Sequence, residues 1–277
     1  MFLRFEGRGA RTNRRNQNEF NRQEIYPDIW AHEPKEECIG YVTHYLKELN
    51  TSGPQMNKLI AAIVDNDASE VKSLLQADAG LAARLIRTAK LHNSRIFHWI
   101  YVGDTALHLA AAGYRVEIVR LLLMSRADPN AAKNRRKSTP LHYAADGYIT
   151  GPAWDPKRQV ETIRCLLKNG AGIHSQDMNG ATPLHRAVRT RCAAAVKFLL
   201  AAGSDPTKKN KPGSTAFHLA VQNTGRGGSG APAAISAQRE IIKEFLSFGV
   251  SPNLKDDRGK SVVCSARSAW IREMLSE

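Results

Sequence analysis

The six residues Thr182-Pro183-Leu184-His185-Arg186-Ala187 decide how this chain is read. The same shape returns as Thr105-Ala-Leu-His-Leu-Ala110, Thr139-Pro-Leu-His-Tyr-Ala144 and Thr215-Ala-Phe-His-Leu-Ala220. A degraded copy follows as Ser261-Val-Val-Cys-Ser-Ala266. Successive copies start 34, 43, 33 and 46 residues apart, a unit of about 33 residues with insertions. Each residue type has a reason. The leading Thr can N-cap a helix, its hydroxyl accepting a bond from a backbone N–H two or three residues on. Pro140 and Pro183 stand at the first helical position, where a missing N–H costs nothing. Leu or Phe then faces a core, and Ala110, Ala144, Ala187 and Ala220 let neighbouring helices approach closely.

A second apolar helical run follows each copy: Val116–Leu123, Val160–Leu167, Ala193–Leu200 and Glu240–Leu246. Apolar residues recur in them at i, i+3 and i+4 with charges between, so each helix buries one face. Gly170, Gly203 and Gly249 sit where a left-handed C-cap is expected, and Arg126 takes that place in the first full repeat.

Four near-complete copies of this pattern resemble the ankyrin repeat, over roughly residues 57 to 277. The resemblance implies an all-α solenoid of stacked antiparallel helix pairs with hairpin-like finger loops. It places a capping pair at 57–91, repeats near 103–137, 138–180, 181–213 and 214–259, and a C-terminal cap at 260–277. The capping pair is read from Asn57–Val64 and Ser69–Leu75, which lack the Thr-x-Leu-His signature. In such repeats the motif histidine bonds across the loops and orders the turn. His108, His142, His185 and His218 are accordingly read as structural, and not as a metal ladder. The resemblance further implies protein binding on the face formed by fingers and first helices.

Residues 1–55 form a separate N-terminal region. Residues 1–23 carry six Arg and two Glu among many Asn and Gln, a composition that predicts disorder. A short helix is expected over Glu36–Leu49, and Thr51–Pro54 reads as a linker. The connection from Leu81 to Gly103 reads as an irregular or partly helical loop. Ten extra residues fall between the helices of the second motif repeat, near 147–157. Thirteen fall at the same place in the fourth, near 223–238.

The chain has 277 residues and a formal charge of +14. No run of eighteen apolar residues exists, and the basic N-terminal stretch lacks an apolar signal core, which argues against membrane spanning and export. Cys38, Cys165, Cys192 and Cys264 show no paired spacing and suit a reducing, cytoplasmic setting. Gly225-Arg-Gly-Gly-Ser-Gly230 lacks the Lys-Ser/Thr of a phosphate loop. No nucleophile, metal or paired-carboxylate pattern is present, so no enzyme and no cofactor are expected.

Charge is spread unevenly. Residues 104–138 carry seven cations against three acids, a net +4, and residues 182–214 seven against one, a net +6. The stretch between them is near neutral. Two basic fingers hold the excess: Lys133, Arg135, Arg136 and Lys137 in the first, and Lys208, Lys209 and Lys211 in the third. Arg186 takes the variable motif position, with Arg189 just beyond, and Tyr143 takes that position in the second copy. With Trp154 of the first insertion, these are the candidate partner-binding residues. They favour a monomer that binds another protein with an acidic surface. Nucleic acid is the alternative, through phosphate contacts to the basic fingers and the Arg-rich arm, but the fingers themselves carry no interleaved stacking aromatics.

Overall fold

The computed structural model describes residues 53–93, 96–147, 154–222 and 232–276. The capping pair is α1 (Pro54–Asp65) and α2 (Ala68–Ala77). A turn of 3₁₀ helix (Ala79–Ala82) leads to β1 (Lys90–Asn93) and β2 (Phe97–Ile100). Four motif repeats follow as inner and outer helices. They are α3 (Ala106–Ala112) with α4 (Val116–Met124), and α5 (Pro140–Ala145) with α6 (Pro156–Lys168). Then come α7 (Pro183–Arg189) with α8 (Ala193–Ala201), and α9 (Ala216–Ala220) with α10 (Pro232–Ser247). The terminal pair is α11 (Val262–Ser265) and α12 (Ala269–Met274). The expected basic arm and N-terminal helix fall on residues 1–52, outside the described residues.

Inner helices α1, α3, α5, α7, α9 and α11 pack in that order, and outer helices α2, α4, α6, α8 and α10 do the same alongside. The core therefore runs along the stack and has no single centre. Leu107, Leu141, Leu184 and Phe217 are buried in it, as are Ala110, Ala144, Ala187 and Ala220. Gly170, Gly203 and Gly249 adopt positive φ after the outer helices. Arg126 does so too at φ 63°, so the non-glycine cap keeps the same turn.

The connection before α3 differs from the sequence expectation. Beyond the 3₁₀ turn it forms an antiparallel hairpin with Lys90 opposite Ile100 and Asn93 opposite Phe97. The aromatic and branched residues of 96–101 suit a pleated, half-buried strand better than a loop. Ile96 lies against Gly113 at the end of α3, and the His98 ring packs tilted against that of Tyr143 of α5, centroids 4.4 Å apart. The hairpin thus covers part of the inner face at the first two motif repeats.

The insertions fall where the alignment of copies places them. Three residues separate α3 from α4 and α7 from α8, whereas α5 and α6 are separated by residues 146–155. Part of each insertion is helix and not loop. α6 starts four residues, and α10 eight residues, before the helical runs read from sequence. Residues 148–153 and 223–231 lie outside the described residues.

Candidate protein-binding edge

Each finger is built by the start of the motif that follows it. The Thr105 backbone N–H donates to His108 Nδ1 at 3.1 Å, and His108 Nε2–H donates to the Ser138 carbonyl of the next finger at 3.0 Å. His142, His185 and His218 repeat the bond to Ala181, Ser214 and Lys260 at 2.9, 3.2 and 3.0 Å. Every motif ring is therefore committed to holding a neighbouring finger. At His108, His142 and His185 the Nδ1 accepts from a backbone N–H, which leaves no place for a second ring proton and requires the neutral imidazole. Burial pushes His108 and His185 below the ordinary range, and burial with the Arg186 charge brings His142 down to about 4.

A second device lies inside the fingers. Asn134, Asp177, Asn210 and Asp256 occupy the same place in successive turns. Each side-chain oxygen accepts a backbone N–H four residues on: Ser138 at 3.1 Å, Ala181 at 3.0 Å, Ser214 at 2.9 Å and Lys260 at 2.8 Å. Neighbouring turns then bond along the edge. Met178 N–H donates to the Arg136 carbonyl, Lys211 N–H to Asn179 and Asp257 N–H to Gly213. The edge is one continuous surface tied backbone to backbone.

On this edge Lys133, Arg135 and Lys137 are exposed and Arg136 is half-buried. Arg136 Nη1–H donates to Tyr101 Oη at 2.7 Å, and both Arg135 and Arg136 place their guanidinium carbons 5.3 Å from the Tyr101 ring centre. Among the described residues no carboxylate pairs with these four cations. The third finger differs: Lys208 and Lys211 are exposed, but Lys209 Nζ pairs with Asp257 at 2.8 Å.

Arg186 is not on the exposed inner face. It is 5% exposed and closes an ion network across two repeat boundaries. Its Nη1 donates to Asp146 Oδ2 at 2.9 Å, Nε to Asp177 Oδ2 at 3.1 Å and Nη2 to Ser138 Oγ at 3.1 Å. Burial pushes the Asp146 carboxyl up, but Arg186, His98 and Arg189 outweigh it and hold it far below the usual range. Tyr143 is also buried, under His98, and its hydroxyl donates to Asp104 Oδ2 at 2.7 Å. These two residues therefore leave the set of exposed contacts, since their polar groups already have partners inside the array. Trp154 is half-buried against the core, and its Nε1–H donates to Gln159 Oε1 at 3.0 Å. Arg189 stays exposed, 3.7 Å from Asp146 Oδ1. Sequence reasoning passed over Tyr101, Trp99 and Met178, whose relevance comes from the hairpin and from finger-to-finger stacking. The acids Asp146 and Asp177 carry a readable signal, since a cation at a buried motif position needs buried counter-charges.

Stacked helix pairs, a backbone-bonded finger edge and histidines that tie each turn to the next define a helical-repeat recognition scaffold. The family model for ankyrin repeats (3 copies) matches residues 58–151 and 155–229. The chain belongs to the ankyrin repeat family. It is 37% identical over 101 residues to the ankyrin repeat and LEM domain-containing protein 1 homolog of Caenorhabditis elegans, covering 36% of this chain and 13% of that protein. It is 32% identical over 168 residues to the E3 ubiquitin-protein ligase KEG of Arabidopsis thaliana, covering 58% of this chain and 9% of that one. Over 189 residues it is 28% identical to neurogenic locus notch homolog protein 1 of Danio rerio, covering 66% of this chain and 7% of that protein. The chain thus spans only a small part of the length of these relatives. No helix among the described residues is long and apolar enough to cross a membrane.

Proposed function

We propose that this protein is a non-catalytic scaffold that binds an acidic surface of another protein through its finger edge. Ankyrin repeats serve generally as protein-interaction scaffolds, and that much follows from the family. One observation carries the finer reading: Lys133, Arg135, Arg136 and Lys137 stand together at one turn with no carboxylate opposite them among the described residues. Cations without a counter-charge, three of them exposed and Arg136 half-buried, gain little within the fold and act on an approaching charge. The free thiols Cys165 and Cys192 suit the cytoplasmic setting expected from cysteine usage.

The test is association of a fluorescent polyglutamate peptide with the full chain across a salt series. Arg136→Glu should slow association and flatten its salt dependence, because exposed charges are screened beyond about 8–10 Å at physiological salt. Lys209→Glu should do less, since Lys209 is already paired with Asp257. An association rate indifferent to salt and to Arg136→Glu would place binding elsewhere on the array.

A further inference from the structure

The fingers present more than charge. Residues Tyr101–Asp104 form a turn ahead of the first full finger, closed by Tyr101 N–H to Asp104 Oδ2 at 2.7 Å and Asp104 N–H to the Tyr101 carbonyl at 3.0 Å. Gly103 presses this turn against the next one. A Cβ there would lie 2.5 Å from the Lys133 carbonyl oxygen, and φ is +91°. Val102 is left 54% exposed, next in the chain to Tyr101, whose ring meets Arg135 and Arg136. On the other side, Met178 is 43% exposed on the turn whose N–H bonds the Arg136 carbonyl. Three successive turns therefore read apolar, doubly cationic, apolar. The guanidiniums are held by Tyr101, whose ring in turn stacks near Trp99 at 6.4 Å.

We infer that this three-turn strip is the anchor of the edge, and that its occupant is a short extended peptide with adjacent carboxylates flanked by two large apolar side chains. The inference rests on the protein-binding reading above and names the ligand it selects. Helices of adjacent repeats pack about 8–10 Å apart, so Val102 and Met178, two turns apart, are separated by about 16–20 Å. An extended chain advances about 3.3 Å per residue, which sets the two apolar side chains five or six residues apart. Arginines already fixed by an aromatic neighbour lose little freedom on pairing with carboxylates, and the flanking apolar contacts supply burial that charge alone does not. A nucleic-acid strand fits less well. It needs a continuous cationic track with open aromatic faces. Here the second finger, 172–180, has no Lys or Arg, Lys209 is neutralised by Asp257, and the Tyr101 ring is occupied by guanidiniums.

The probe is a labelled synthetic peptide, Ser-Phe-Gly-Glu-Glu-Gly-Leu-Ser, bound to the full chain and read by fluorescence anisotropy. Two control peptides carry Ser for Phe and Leu, or Gln for both Glu, and a random single-stranded DNA 20-mer is the fourth ligand. The full peptide should bind at least tenfold more tightly than either control. Val102→Ser/Met178→Ser should bring it to the level of the acidic-only control while keeping the salt dependence, and Arg135→Glu/Arg136→Glu should remove binding of both acidic peptides. All four positions are at least partly exposed, so unchanged circular dichroism and melting should verify that each variant is folded. If the apolar double variant binds the full peptide as well as the native chain does, the anchor is wrong and the acidic-surface reading stands. If no acidic peptide binds and charge reversal changes nothing, that reading itself falls. Tighter binding of the DNA than of the full peptide, lost on charge reversal, would overturn the inference in favour of nucleic acid.

Discussion

Replacing Arg186 by Met separates two pictures of the inner face. On the sequence reading Arg186 is a solvated contact residue, and losing an exposed charge costs about 0–1 kcal/mol. In the structure its guanidinium makes four bonds to Asp146, Asp177 and Ser138, two of them to one Asp177 oxygen. Met keeps the aliphatic stem and strands two carboxylates. Breaking a buried ion pair from one side costs about 3–5 kcal/mol, because the remaining charge is uncompensated. Asp177 keeps its bonds from Asn179 and Ala181 N–H, so the second finger should retain its turn. Asp146 keeps His98 at 3.5 Å and Arg189 at 3.7 Å, which places the expected loss at the lower end of that range. Removing all three charges together, as Asp146→Asn/Asp177→Asn/Arg186→Met, should then cost less than Arg186→Met alone. Urea unfolding of the three proteins at neutral pH gives the comparison. A loss below about 1 kcal/mol for Arg186→Met, with the triple variant no better, would refute the buried network and return Arg186 to the partner-facing surface.

Other outcomes are expected from the same geometry. Leu184 is buried between repeats, so Leu184→Ala should cost about 2–5 kcal/mol and uncouple the two halves of the array in unfolding followed by local probes. Because folding holds His142 neutral, with its value lowered from 6.5 to about 4, the unfolded chain takes up a proton that the folded chain refuses. Its share of stability, about 3 kcal/mol, is fully present above about pH 6.5 and lost as pH falls toward 4; unfolding free energies that stay flat between pH 7 and 5 would contradict this. Gly180→Ala should destabilise more than Gly170→Ala, since both have positive φ but only at Gly180 would a Cβ meet backbone, 2.8 Å from Lys211 N. Paired thermal melts decide it.

The repeat register was legible because it rests on local chemistry. Thr capping, Pro at the first turn and the His position are each fixed by the residue itself, and the four rings bond where that register requires. Arg126 was legible as the cap residue of the first full repeat for the same reason, and it keeps the left-handed turn. The hairpin was not, since its strands are four residues each and their order depends on packing against α3 and Tyr143. The fate of Arg186 was hidden too. Its motif position is buried at Leu109 and Tyr143 as well, and the counter-charges Asp146 and Asp177 that let a cation stand there come from two other segments. Lys209 looked equivalent to Arg136 in a count of cations, yet Asp257, 48 residues away, changes its meaning.

The insertions show how the array takes extra chain without disturbing its edge. In the repeats without insertions, Tyr114 and Arg191 turn the chain in the left-handed region at φ 53° and 63°. In the repeats with them, that tight turn is gone and the last carbonyls of the inner helix need other donors. Gln159 of α6 supplies Nε2–H to Ala144, Ala145 and Asp146, and Tyr114 of the preceding repeat adds its hydroxyl at Asp146. Two repeats on, Gln238 of α10 bonds Ala220 and Gln222, and Arg191 reaches the same two carbonyls. One solution is thus used twice, with a glutamine from the lengthened outer helix and the left-handed residue of the repeat before. Both insertions leave from the C-terminal ends of inner helices, whereas the fingers enter at the N-terminal ends. Extra chain is therefore added at the end of the inner helices away from the bonded edge, and the finger register passes through both inserted repeats intact.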